Sequence, residues 1–300
     1  MLYRNLSSYL RKKHGKRLKK ICIDGGFSCP NRDGKCATGG CIFCGERGAG
    51  EHIDPTLSIK ETVLRALGQA EDGDGFIAYF QNFSNTYAPI EVLRQRYDSA
   101  LIDGRIKILA IGTRPDCITE EIAELLASYK PMCDVWVELG LQTANDKTAD
   151  VINRGYKRPV FEKAVEILEK HGIKAVVHLM IGLPGEGDAE LYETADYLAR
   201  FNLFGIKIHS VYVMQGTRLA EMYQNGEYEA ISENDYVRRA AYLISHTNPD
   251  TVIHRITGDP PTGELIAPDW CRNKHRVIER INEELKKAGQ SQGSQYVAKQ

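Results

Sequence analysis

The chain has 300 residues and no break in composition, a length that suits one α/β barrel domain better than a single sandwich. Its 39 Lys and Arg against 40 Asp and Glu leave a formal charge of −1, so net charge points to no class of partner. No apolar run follows the basic start, and no segment approaches the roughly 18 continuous apolar residues of a membrane span; no signal peptide, no membrane partner and a cytoplasmic location are expected.

The charge is unevenly spread. Residues 1–20 hold Arg4, Arg11, Lys12, Lys13, Lys16, Arg17, Lys19 and Lys20 and no Asp or Glu. A basic arm over 1–19 can dock on phosphates by releasing counterions. The plain alternative is a solvated helix face leading into the first strand.

Strands are predicted at 20–24, 76–80, 106–112, 135–140, 175–182 and 205–213. Several are almost continuously apolar, as parallel strands covered by helices are. Helices are expected between them. Ser58 and Glu61 form a capping-box pattern ahead of Val63, Leu64 and Leu67. Pro159 suits a first helical turn and Gly172 a stop, and another helix should run over 190–201. Six repeats of strand then helix argue for a parallel α/β sheet over 20–250. A C-terminal extension over 251–288 should hold a seventh strand at 252–256, an irregular Pro-rich loop at 258–270 and a helix at 274–287. The Gln-, Ser- and Gly-rich tail, 289–300, is expected to be disordered.

Cysteine placement carries the chemistry. In the run CPNRDGKCATGGCIFC, Cys29, Cys41 and Cys44 read Cys-x11-Cys-x2-Cys, with Phe43 just before the last. They follow the first strand, and the C-terminal ends of strands carry the site in a parallel barrel. Three thiolates can hold three corners of a four-iron, four-sulfur cube and leave the fourth iron open. The same soft ligands suit zinc, with Cys36 as fourth ligand. Cys29 and Cys36 stand six residues apart, too wide for the usual Cys-x2–4-Cys pairs of such a site. Spacing alone leaves both metals open.

Five further segments follow in order, four at strand ends, YFQNFSNTYA (79–88), ELGLQT (138–143), HLMIGLPGE (178–186) and VYVMQGTRL (211–219), and one, INRGY (152–156), shortly after the second of these. Together with the three cysteines and the aromatic before the last, they resemble the radical S-adenosylmethionine superfamily over roughly 20–270, with a longer first cysteine gap than the common Cys-x3-Cys-x2-Cys. The stretches DGGFSCPNRDG, YFQNFSNTYAP and Gly-Asp-Pro-Pro…Ala-Pro-x-Trp are similar to the YtqA/YhcC-like subgroup. The core also looks distantly like the Elongator catalytic subunit without its acetyltransferase domain.

The resemblance implies a partial TIM barrel, a (β/α)6 parallel core, that binds a [4Fe-4S] cluster on Cys29, Cys41 and Cys44 and S-adenosyl-L-methionine on the open iron. It implies that Gln81, Asn82 and Asn85 receive the methionine amino group, in place of the family's absent Gly-Gly-Glu. Arg154 would pair with the carboxylate, Gly182 would lie on the ribose side, and Val213 and Phe43 would lie near the adenine. Glu138 and Gln142 would touch cofactor or substrate; His178 would line the same pocket if it faces inward, although a hydrogen-bonded core His is the default. Asp259, Trp270 and Lys274 form a candidate substrate side, and a loop Trp more often covers a barrel end than stacks on a base. The activity implied is cleavage to methionine and a 5′-deoxyadenosyl radical that takes hydrogen from an unactivated carbon, with an electron donor such as flavodoxin or ferredoxin. The subgroup points to the wobble uridine of transfer RNA. A small metabolite or peptide is the alternative substrate; a zinc-stabilised RNA-binding protein without catalysis is the alternative class. A zinc module would not need the ordered strand-end motifs.

Overall fold

The computed structural model describes residues 2–48, 53–54, 56–260 and 263–299. Helix α1 (Leu6–His14) precedes β1 (Lys19–Ile23). Then come α2 (Ile59–Gly68), β2 (Phe76–Phe80), α3 (Ile90–Ala100), β3 (Ile106–Thr113), α4 (Glu120–Ala127) and β4 (Asp134–Gln142). Helices α5 (Asp146–Val151) and α6 (Arg158–Lys170) lead to β5 (Lys174–Ile181), α7 (Asp188–Leu198) and β6 (Gly205–Ser210). The chain ends through β7 (Val213–Met214), α8 (Arg218–Gln224), α9 (Glu233–His246), β8 (Val252–Arg255), β9 (Leu265–Ala267) and α10 (Lys274–Lys287).

Seven strands form one parallel sheet in the order β1-β2-β3-β4-β5-β6-β8, curled into a half-barrel. The expected six-strand core thus gains β8, which sequence composition had placed in the extension. Strand β6 stops at Ser210, short of the expected end. The chain turns there so that Val213 and Met214 pair antiparallel with β9. Pro261 and Thr262 of the expected loop lie outside the described residues.

The strands carry two faces with a period of two. Along β4, Val135, Val137, Leu139 and Leu141 pack outward under helices with Phe161 and Leu168. Trp136 points to the concave side with Ile77, Tyr79, Ile108 and Ala110. The helices begin as the sequence predicts: Ser58 Oγ accepts from Glu61 N at 3.2 Å while Glu61 Oε2 accepts from Ser58 N at 2.8 Å.

Helix α1 seats Leu10, with Leu6 and Tyr9, against the concave cluster at the N-terminal ends of the strands. Four of the eight basic residues of 1–20 have partners there. Lys13 pairs with Asp134, the first residue of β4; Lys16 donates to the Gly73 carbonyl; Lys19 lies 2.6 Å from Asp74; and Arg4 donates to the Asp250 carbonyl. The basic arm is therefore a plug beneath the barrel, on the end opposite the cysteine loop. Nor is the tail loose. Gln292 donates to the Asn248 and Thr251 carbonyls at 2.8 and 2.7 Å and accepts from Arg4 N at 2.8 Å. One carboxamide supplies donors and an acceptor together, which the polar composition of 289–299 did not reveal.

Candidate active site at the strand ends

The cysteine loop leaves the end of β1 and is held by backbone and side-chain bonds, because it has almost no regular structure of its own. Arg32 donates to the carbonyls of Cys44, Gly45 and Glu46, and its guanidinium lies 5.1 Å from the Phe83 ring. Asn153 donates from Nδ2 to Thr38 O at 3.0 Å and Gly40 O at 2.8 Å. Asn153 sits at φ 52°, a left-handed conformation that Asn tolerates better than most residues. Ile42 N donates to Ile152 O at 3.2 Å, and Leu219 N to Ile42 O at 2.9 Å. The INRGY and VYVMQGTRL segments thus clamp the loop from two sides.

Within the loop, Cys41 and Cys44 lie side by side. Their shared hydrogen bond draws the Cys41 thiol below its ordinary value even though burial opposes it. The same bond, reinforced by burial, pushes Cys44 well above it. Asn31, fully buried, donates from Nδ2 to Cys41 Sγ at 3.6 Å and to Asn153 O at 2.6 Å. Cys29 is half-buried at the turn that opens the loop. Cys36 is exposed, and its Sγ donates to Asp116 Oδ2 at 3.4 Å. It faces a cleft of about 490 Å³ lined by Thr86, Tyr87 and Asp116. The fourth ligand that a zinc site needs is thus engaged elsewhere. Among the described residues no three His, Cys, Asp or Glu side chains converge as around a single ion. Three thiolates on one loop are a donor set of the kind that holds a four-iron cube with one iron left open.

The other predicted residues separate into those the structure gathers at this mouth and those it commits elsewhere. Asn82 and Asn85, at most 1% exposed, follow β2. Asn82 Nδ2 donates to Asp24 at 2.7 Å, and Asn85 Nδ2 to the Asn82 and Gly112 carbonyls at 2.9 and 2.7 Å. Their Oδ1 atoms are buried with no donor among the described residues, an acceptor pair suited to a ligand ammonium. Gln81 follows the last residue of β2. Phe43 and Val213 meet in one apolar cluster with Met180, Leu183 and Leu219. Gln142 sits at φ 61° beyond a register shift at Gly140. With its amide nitrogen turned inward it donates to Gly140 O and Leu141 O at 3.0 and 3.1 Å.

Arg154, the carboxylate clamp that the sequence suggested, is held largely by backbone carbonyls. It is 1% exposed; its Nε donates to Tyr156 O at 3.0 Å, one terminal nitrogen to Leu141 O and Thr143 O, and the other lies 3.5 Å from Asp146. Three bonds from Nε and one terminal nitrogen brace the end of β4, while the other terminal nitrogen is buried with no hydrogen-bond partner among the described residues. At Gly182, expected on the ribose side, a Cβ would lie 2.8 Å from Ile231 Cγ2, and the carbonyl accepts from Tyr228 at 2.6 Å, so the close approach seen at this glycine is to Ile231. Trp270 donates from Nε1 to Ile231 O at 3.0 Å and packs 4.9 Å from the Tyr236 ring, which makes it a cover rather than a stacking platform. Asp259 and Lys274 pair with each other at 2.7 Å.

Glu138 is not at the strand end but in the middle of β4, facing the concave side. Only 3% exposed, it accepts from Lys207 Nζ and from His178 Nε2 at 2.8 Å. Burial alone would raise its carboxyl, yet Lys207 and His178 outweigh burial and hold it well below the usual range. His178 is therefore hydrogen-bonded inside the barrel, with its ring 5.3 Å from His209. Sequence reasoning missed Asn31, Asn153, Arg32 and Lys207. The polar residues between the cysteines were a signal for Arg32 and Asn31, but Asn153 and Lys207 meet their partners Thr38 and Glu138 only across 115 and 69 residues of chain.

Comparisons with known proteins bear on the family and the fold. The family model described as the Radical SAM superfamily matches residues 34–198, and the Radical_SAM C-terminal domain matches 204–287. The chain is 38% identical to the uncharacterized protein YtqA of Bacillus subtilis, over 97% of this chain and 92% of that protein. It is 26% identical to a tRNA uridine(34) acetyltransferase of Methanocaldococcus jannaschii, over 86% of this chain but 54% of that relative. The archaeal Methanocaldococcus infernus Elp3 shares the fold with a TM-score of 0.69 at 19% identity, over 92% of this chain and 64% of the other. A conserved-length match to YtqA and a family model spanning more than half the residues place it: the chain belongs to the Radical SAM superfamily.

Proposed function

We propose that Cys29, Cys41 and Cys44 hold a [4Fe-4S] cluster at which S-adenosyl-L-methionine is cleaved, and that the enzyme modifies a base of transfer RNA, the wobble uridine. The observation that carries the first part is the clamped cysteine loop beside two buried carboxamide oxygens without donors, Asn82 Oδ1 and Asn85 Oδ1. When bound, the cluster and S-adenosyl-L-methionine supply one-electron cleavage to a 5′-deoxyadenosyl radical, chemistry that belongs to the cofactors. The chain supplies the rest. Asn82 and Asn85 accept from the ammonium, Phe43 and Val213 offer an apolar wall to the adenine, and Asn31 donates to the Cys41 sulfur and favours its thiolate. Gln142 and Gln81 lie at the same mouth as polar positions for cofactor or substrate.

The transfer RNA part is supported by likeness to the tRNA uridine(34) acetyltransferase, which extends over about half of that relative. A second reading, a small metabolite substrate, is favoured by the arm: at least four of its cations are engaged beneath the barrel. Anaerobic purification tests the first part: iron, sulfide and 5′-deoxyadenosine formation are expected, and a colourless protein that leaves S-adenosyl-L-methionine intact contradicts it. Comparing modified nucleosides in transfer RNA with and without the gene decides the second. A nucleoside that disappears on deletion supports it; an unchanged profile gives the small-molecule reading.

A further inference from the structure

The concave face carries a layer of charge below the strand ends that the proposed cofactor contacts do not use. Lys207 is 4% exposed; its Nζ bonds Glu138, lies 3.2 Å from the Tyr79 hydroxyl and sits 4.4 Å from the Tyr79 ring centre. Lys20, on β1, places a second ammonium 4.7 Å from the same ring. No carboxylate pairs with Lys20 among the described residues. Arg255 is the register partner of Lys207 on β8, and its guanidinium lies 3.4 Å from Asp259, which Lys274 also holds. Four cations thus share two carboxylates, Glu138 and Asp259. Burial pushes the Lys207 ammonium down to about 7 despite Glu138, and Lys20 and Arg255 add to the push. His209 Nε2 is buried beside them with no partner among the described residues.

Such a layer costs free energy unless something negative completes it. Its position gives access: Lys20 on the edge strand β1 is exposed and Arg255 on the other edge strand, β8, is half-buried, so the layer reaches solvent at both.

We propose that Lys20, Lys207 and Arg255, with the Tyr79 hydroxyl and the His209 ring, bind an anionic group of the substrate, a carboxylate or a phosphate. Two ammoniums and a planar guanidinium are the donors that such oxyanions take. The site lies below the strand ends and holds the substrate's charge while the rest of the molecule reaches up to the radical. This rests on the radical reading above and narrows its substrate to one that carries a negative charge.

Isothermal titration of anaerobically reconstituted protein with S-adenosyl-L-methionine present, using malonate and inorganic phosphate as probes at an ionic strength fixed with chloride, tests it. Saturable binding is expected, about tenfold or more weaker in Lys20→Gln and in Arg255→Gln, the loss of one charge-assisted hydrogen bond. Lys20 is exposed, so its variant folds even if the Arg255 variant does not. Saturation by malonate alone marks a carboxylate substrate, by phosphate alone a phosphate ester, and by both a shared anion site. Absence of saturable binding by either probe, or variants that bind like the wild type, overturns the proposal. Formation of 5′-deoxyadenosine in the same samples separates the failures. Cleavage without anion binding sinks only the anion site; a wild type that does not cleave sinks the radical reading.

Discussion

Replacing Asn153 by Ala should loosen the cysteine loop and with it any cluster that the loop holds. The side chain gives two hydrogen bonds to Thr38 O and Gly40 O, at 3.0 and 2.8 Å. Each is worth about 1 kcal/mol net, so about 2 kcal/mol is lost. The residue also sits at φ 52°, where Ala pays about 1 kcal/mol relative to a residue that tolerates the left-handed region. The sum, about 3 kcal/mol, is roughly a hundredfold in the balance between seated and open loop. Asn153→Gly removes the hydrogen bonds but not the backbone freedom, so about 2 kcal/mol, roughly thirtyfold, is expected. The assay is the rate at which an iron chelator bleaches the reconstituted protein, since a chelator reaches the metal through the open loop. The expected order is Ala fastest, Gly intermediate, wild type slowest. Equal rates for all three would refute the claim that the INRGY segment seats the loop.

Lys207→Met should lower the free energy of unfolding by about 3–5 kcal/mol, because it strands buried Glu138, and Glu138→Gln in the same chain should restore most of it, both read from denaturant melts. No rescue would mean that the pair is not the reason. Gly182→Ala should also destabilise, since its Cβ would meet Ile231 at 2.8 Å and its φ is 97°; adding Ile231→Ala should recover the steric part but not the backbone part. Burial pushes the Glu186 carboxyl up to about 7. The folded state then holds a proton that the unfolded state has released, so stability should fall from about pH 4.5 to 7. Glu186→Gln should flatten that part of the melting-temperature profile, and an unchanged slope would assign it to other groups.

The parallel sheet was legible because its strands are near-continuous apolar runs and its helices carry end signals such as Ser58 and Glu61. The three cysteines were legible as a local pattern. What the sequence did not reveal were partnerships over long separations. Arg154 read as a ligand clamp because an Arg near a strand end has that reach, and the carbonyls of Leu141, Thr143 and Tyr156 that hold its Nε and one terminal nitrogen became visible only with the fold. Lys207 stood in an apolar strand with no cue that Glu138, 69 residues away, would neutralise it. The basic arm read as either a phosphate-docking arm or a solvated helix face, and the partners that Lys13 and Lys19 find were not legible because Asp134 and Asp74 lie far along the chain. The tail read as disordered for a similar reason, since its low apolar content does not record what Gln292 bonds.

The account turns on the three cysteines, and metal analysis of anaerobically purified protein tests it most directly. About four iron and four sulfide per chain are expected. They should be lost when Cys29, Cys41 or Cys44 becomes Ala and kept when Cys36 does. One zinc per chain that depends on Cys36 would contradict it.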